Sequence, residues 1–153
     1  MNLMKTERNR DVLSITDEEW KTTYLPRIKS DGMMLRYVKD QDDKVCLTAV
    51  RQNGLALDLV VNQTDIICSV AVRQNGMALL LVRNQTDDIC LKAIRQNPEA
   101  LMLVKEQTSS LCLTAVKKDY KTIAYVQEHL RIDILSKMLV YYKRLRQRKE
   151  SHV

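Results

Sequence analysis

A 22-residue period runs through the middle of this 153-residue chain. Cys46, Cys68, Cys90 and Cys112 stand 22 residues apart, and the words around them recur in step: Val45 to Gly54, Ile67 to Gly76, Ile89 to Pro98 and Leu111 to Tyr120. Units of roughly 20–50 residues cannot bury an apolar face alone, so a chain built from them must stack them into an array. Each unit then leans on its neighbours in sequence. The period excludes most folds organised around one central core.

Two short apolar segments alternate with two polar junctions in each unit. Val45, Cys46, Ala49 and Val50 share a side at helical spacing, as do Ala56, Leu57 and Val60 in the second segment. Ala recurs at 49, 71, 93 and 115 and again at 56, 78 and 100, where small side chains let helices approach closely. Asn53, Asn75, Asn97 and Asp119 form one column ahead of Gly54, Gly76, Pro98 and Tyr120. Pro preceded by Asn marks a helix start, so this column reads as the N-cap of the second helix. Asn75→Ala is expected to cost about 0.5–2 kcal/mol. Pro98 also shows that the Gly column does not require positive φ, so Gly76→Pro is expected to be tolerated. Thr64, Thr86 and Thr108, with Asp42 in the same slot, read as N-caps of the first helix, and Asp65 and Asp87 favour its dipole.

Such helices are shorter than the ~12–15 residues that an isolated helix needs, so neighbours must hold them. The chain is thus expected to be all-α, an α-solenoid of short helix-pair repeats with degenerate capping pairs at both ends. Residues 15–41 form the N-terminal capping repeat, 42–129 four clear repeats, 130–142 a C-terminal capping helix and 143–153 a basic tail, all in one domain. Tyr24-Leu25 and Ile28 carry the pattern upstream; Ile134-Leu135 and Met138 carry it downstream. Aromatic residues, Trp20, Tyr24, Tyr37, Tyr120, Tyr125, Tyr141 and Tyr142, gather at the two ends, where rings are expected to seal the core.

Equivalent positions on stacked helices lie roughly 8–10 Å apart. That exceeds the ~7 Å limit between Cα atoms of a disulfide, and it also keeps thiolates from converging on one zinc ion. The four cysteines are therefore expected to be free, reduced and buried as small apolar residues. His129 and His152 are the only histidines, and no nucleophile motif or phosphate loop occurs among three glycines. No catalytic residue, cofactor or metal is expected. No apolar run nears the ~20 residues of a membrane span, and no leader-like segment opens the chain, which points to the cytoplasm.

The net charge of +6 is unevenly placed. Residues 42–129 balance ten cationic against ten acidic side chains, whereas residues 130–153 hold seven against two, a surplus of five. Two surfaces follow as candidates. One is the ladder of Arg51, Arg73, Arg95 and Lys117 beside Gln52, Gln74, Gln96 and Lys118. The other is the basic tail: Lys143, Arg144, Arg146, Arg148 and Lys149. A structural reading of the ladder has cations complementing helix C-termini and glutamines tying adjacent backbones. A functional reading has it hold an acidic partner or a phosphate backbone. The tail is either a solvated helix end or a contact for nucleic acid, anionic membrane or acidic protein. A further ladder comprises Gln63, Gln85, Gln107 and His129.

The unit Ile89-Cys90-Leu91-Lys92-Ala93-Ile94-Arg95-Gln96-Asn97, with the Asn-Gln-Thr words at 62–64 and 84–86, resembles a short helical repeat of unknown function. That repeat is widespread in giant viruses of amoebae and occurs in some bacteria and phages. The likeness covers about residues 42–129 and departs at Pro98 and Tyr120. It implies a helical array of viral or phage source and brings no catalytic residues. The function expected is non-catalytic scaffolding of another protein; the alternative is nucleic-acid binding through the ladder and the tail.

Overall fold

A computed structural model describes residues 23–150; residues 15–22 of the N-terminal capping repeat, Trp20 and His152 lie outside them. Each turn of the array is one α-helix followed by one 3-10 helix. The α-helices are α1 (Leu25–Ser30), α2 (Asp43–Gln52), α3 (Asp65–Gln74), α4 (Asp87–Gln96), α5 (Ser109–Lys118) and α6 (Glu128–Glu150). Between them lie the 3-10 helices η1 (Gly32–Tyr37), η2 (Gly54–Leu59), η3 (Gly76–Leu81), η4 (Pro98–Leu103) and η5 (Tyr120–Tyr125). Each α-helix packs on the next α-helix, and each 3-10 helix on the next 3-10 helix. The protein is an all-α solenoid.

The caps fall where the junction columns put them. Asp42 accepts from the Val45 N–H at 2.7 Å, and Thr64, Thr86 and Thr108 accept from Ile67, Ile89 and Leu111 at 3.3–3.4 Å. The carboxamides of Asn53, Asn75 and Asn97 and the carboxylate of Asp119 accept from the N–H two residues on, each at 3.0 Å. That residue also ends the preceding α-helix. In extended conformation, φ −143° and ψ 111° at Asn53, it turns the chain from one helix into the next without a loop.

The second segment is 3-10 rather than α. In a 3-10 helix residues i and i+3 eclipse, and Gly54, Leu57 and Val60, three apart, are all buried. Ala56 and Val60 donate to the carbonyls of Asn53 and Leu57, three residues back, at 2.9 and 3.2 Å. Over six residues, spacings of 3.0 and 3.6 share most of their apolar positions, so the pattern alone could not separate them.

Apolar columns from every turn form one continuous core. Its ends are closed by aliphatic side chains: Ile28 and Leu35 at one, Ile134 and Met138 at the other, all buried. The expected aromatic seal is largely absent among the described residues. Tyr141 packs against the core, but Tyr37, Tyr120, Tyr125 and Tyr142 are exposed. Helix α6 runs unbroken for 23 residues, about 34 Å at ~1.5 Å per residue, so residues 143–150 continue the capping helix.

The Gly column corrects a second expectation. No glycine has positive φ, yet each is needed for close approach. A Cβ at Gly54 or Gly76 would lie 2.5 or 2.7 Å from the carbonyl oxygen of Ala71 or Ala93 in the next turn. Each N–H is also engaged: Gly32, Gly54 and Gly76 donate to Oε1 of Gln52, Gln74 and Gln96 at 2.6 Å. Pro98 has no N–H, and the residue 20 positions on is Lys118 instead of glutamine, a side chain with no acceptor to leave unsatisfied. Lys118 Nζ donates to the carbonyls of Arg95 and Gln96. Where proline removes the N–H, the column that would accept from it changes as well. Gly76→Pro alone should therefore destabilise by at least about 2 kcal/mol, from a steric conflict plus an unpaired Gln96 acceptor. Adding Gln96→Lys should recover part of the loss. Urea unfolding of the single and double variants checks both.

Candidate interaction surface

Two kinds of glutamine staple each turn to the next. Oε1 of Gln41, Gln63, Gln85 and Gln107 accepts from the N–H of Val61, Arg83, Lys105 and Gln127, 20 residues on, at 2.9–3.0 Å. Nε2 of the same amides donates to the carbonyls of Leu59, Leu81, Leu103 and Tyr125, 18 residues on, at 2.8–3.1 Å. One planar amide thus satisfies both backbone groups where the chain leaves each 3-10 helix. The second kind points back down the array: besides accepting from Gly N–H groups, Gln52 and Gln74 donate to the carbonyls of Ser30 and Gln52. Cations help at the edge held by the first kind. Arg83 donates to the carbonyls of Val61 and Val60 at 2.7 and 3.1 Å, and Lys105 to that of Arg83 at 3.2 Å.

The cysteines belong to this machinery. All four are free and buried. Sγ of Cys46, Cys68, Cys90 and Cys112 lies 3.5–3.8 Å from Oε1 of Gln41, Gln63, Gln85 and Gln107, five residues earlier, and donates a weak hydrogen bond to it. The column is more than small apolar filling. Burial pushes every thiol up, Cys90 to about 11, with Asp87 adding to the effect there and Asp42 and Asp43 at Cys46. These are inert thiols.

Of the first candidate ladder, then, Gln52, Gln74, Gln96 and Lys118 are committed to backbone. Arg51, Arg73 and Arg95 are exposed near the C-terminal ends of α2, α3 and α4. The ion pairs among the described residues are Lys92–Asp88, Lys137–Asp133 and Arg146–Glu150, and none involves this column. The column ends at Lys117, whose Nζ lies 4.8 Å from the centre of the Tyr141 ring. There the structure joins the two candidate surfaces. Lys117 lines a groove of about 350 Å³ with Ser136, Lys137, Val140, Tyr141 and Arg144 of α6. Lys137 is held at 2.6 Å by Asp133, which also accepts from Ser109 at 3.0 Å. The hydrogen bonds from Lys137 and then Ser109 hold the Asp133 carboxyl below its ordinary value. Lys143, Arg146 and Arg148 are exposed elsewhere on α6; the side chain of Lys149 lies outside the described residues. His129 continues the first glutamine column at the start of α6 and is exposed.

Against known families, characterised proteins and solved structures, the chain finds no match. No helix among the described residues is long and apolar enough to cross a membrane. No cluster of three metal-ligating side chains occurs among them either.

The thiols give the fold a pH dependence of fixed sign. A thiol whose folded pKa is raised stays protonated while its unfolded counterpart ionises. The stabilisation is complete below the unfolded thiol pKa and is lost as pH climbs from about 9 towards 11. Thermal midpoints should fall across that window and fall less in a Cys90→Ala variant measured against its own neutral-pH value. Native thiols should react slowly with a disulfide reagent at pH 8 and fully after unfolding.

Proposed function

We propose that the protein is a non-catalytic scaffold that holds an extended acidic segment of another protein along the edge formed by Arg51, Arg73, Arg95 and Lys117. The supporting observation is the contrast between columns. Around these cations the glutamines, threonines, asparagines and buried thiols are spent on the array itself, while the guanidinium groups of Arg51, Arg73 and Arg95 are exposed and carry no ion pair among the described residues. The four cations repeat once per turn, roughly 8–10 Å. An extended peptide rises ~3.3 Å per residue, so a matching partner carries an acidic side chain at about every third position. At the end of the edge, the groove beside Lys117 and Arg144 offers the Tyr141 ring and Val140 to an apolar residue of the same segment.

Nucleic-acid binding is the second reading, favoured by Arg144 of the basic segment meeting Lys117 in that groove. A body with ten cations against ten acids disfavours it. The cytoplasm suits the proposed role because its reducing poise keeps free thiols reduced, and the repeat resemblance supports a viral or phage source.

Exposed ion pairs contribute about 0.2–1 kcal/mol each, so four of them give a weak, salt-sensitive complex unless the groove adds apolar contact. Fluorescence anisotropy with a labelled peptide bearing Glu at every third position should show saturable binding. Arg73→Ala and Arg95→Ala should each weaken it about 2–5-fold. A peptide of the same composition with its acids clustered should bind less well. Equal binding of the two peptides would overturn the spacing argument, and tighter binding to duplex DNA that is lost on Arg144→Ala and on replacing the three arginines would establish the second reading instead.

A further inference from the structure

Helix α6 carries two apolar faces, and the array uses one. Ile134, Met138 and Tyr141 pack inward against the core. On a separate stripe at spacings of three, four and three, Ile132, Leu135, Leu139 and Tyr142 are 82%, 40%, 58% and 49% exposed. This is the a/d spacing of a helix that pairs with another helix. Ile132 is the most exposed large hydrophobic residue among those described. The groove lined by Lys137, Val140 and Arg144 lies on the other flank of α6, so the stripe is free of the surface proposed for the acidic partner.

We infer that α6 pairs with α6 of a second copy of this chain, antiparallel, about a two-fold axis that crosses the stripe between Leu135 and Leu139, level with Lys137 on the opposite side of the helix. The stripe is palindromic about that residue. Ile132 and Tyr142 are each five positions from Lys137, and Leu135 and Leu139 each two. A two-fold there sets Leu135 against Leu139 of the partner and Ile132 against its Tyr142, four apolar layers from one self-complementary surface, as an isologous dimer requires. Charge selects the direction. A parallel pair would stack the two segments from Lys143 to Lys149, each with five cations, on one another; the antiparallel pair sends them to opposite ends. The same register continues the seam outward, because Glu128 and Arg146 are each nine positions from Lys137 and so face one another across the axis. Arg146 holds Glu150 of its own helix at 3.0 Å, an exposed pair that exchanges readily for an intermolecular one. Four layers on one helix fall short of the ~1,600 Å² of a standard interface, as in weak and transient associations.

Sedimentation velocity on the full chain, from about 1 to 300 μM, a span suited to a weak association, tests this. The expected result is a concentration-dependent shift from 17.8 kDa to twice that mass. Leu139→Asp, which spoils two symmetry-related layers at a site already exposed, should leave the protein monomeric with an unchanged helical circular dichroism spectrum. Arg146→Glu should weaken the dimer, and adding Glu128→Arg should restore it. A wild-type chain that stays monomeric throughout overturns the inference. So does a dimer indifferent to Leu139→Asp, which would use another face. A dimer lost with Leu139→Asp but untouched by either charge reversal overturns the antiparallel register.

Discussion

Everything in this array depends on an amide that reaches one turn up. A solenoid with turns of only 22 residues has helices too short to stand alone and 3-10 helices that leave backbone groups unpaired at each exit. Gln41, Gln63, Gln85 and Gln107 meet both needs, each giving a donor and an acceptor to the neighbouring turn at normal hydrogen-bond distance. The buried S–H of the column five residues on completes the acceptor. Gln52, Gln74 and Gln96 do the converse, capturing the glycine N–H groups of the turn below. Apolar columns supply the driving force for stacking, but they are slippery along the array axis. The amides set the register, because a shift of one residue would leave several buried backbone groups unpaired at once.

That commitment divides the surface. Polar residues that recur in every copy would ordinarily all be candidates for recognition, and most of them here are structural. What remains is narrow: one column of cations, a groove where that column meets α6, and an apolar stripe on the far side of the same helix. The three features have different chemistry and different faces. An acidic segment on the cation edge and a second copy on the α6 stripe could be held at once, so pairing through α6 would present two edges to one partner and raise its apparent affinity without any new contact.

The stacking, the period and the caps were legible because each follows from a local rule that repeats. Asn before Gly or Pro, and Thr before Asp, mark helix starts whatever the tertiary context. The 3-10 character of the second segment was hidden, since Gly54, Leu57 and Val60 fit one period and Ala56, Leu57 and Val60 the other. The Gly column misled because Pro98 looks like permission for proline; its compensation lies 20 residues away at Lys118, in a column with no obvious link to it. The cysteine's tie to glutamine was equally invisible, as five positions is not a helical spacing and a thiol more often fills space than donates. The candidate surface was half legible: the ladder of Arg51, Arg73, Arg95 and Lys117 could be named, but only the fold could remove its glutamines and join Lys117 to Arg144.

The amide staple is tested most directly by hydrogen exchange on a Gln63→Leu variant, which keeps the volume of the side chain and deletes its donor and acceptor. If the staple sets the stacking, the Arg83 amide should lose protection by at least about tenfold relative to wild type, the cost of one net hydrogen bond. The equivalent Lys105 amide, held by Gln85, should lose far less. Unchanged protection at Arg83, with no loss of global stability, would show that apolar packing alone holds the turns in register and would contradict the account.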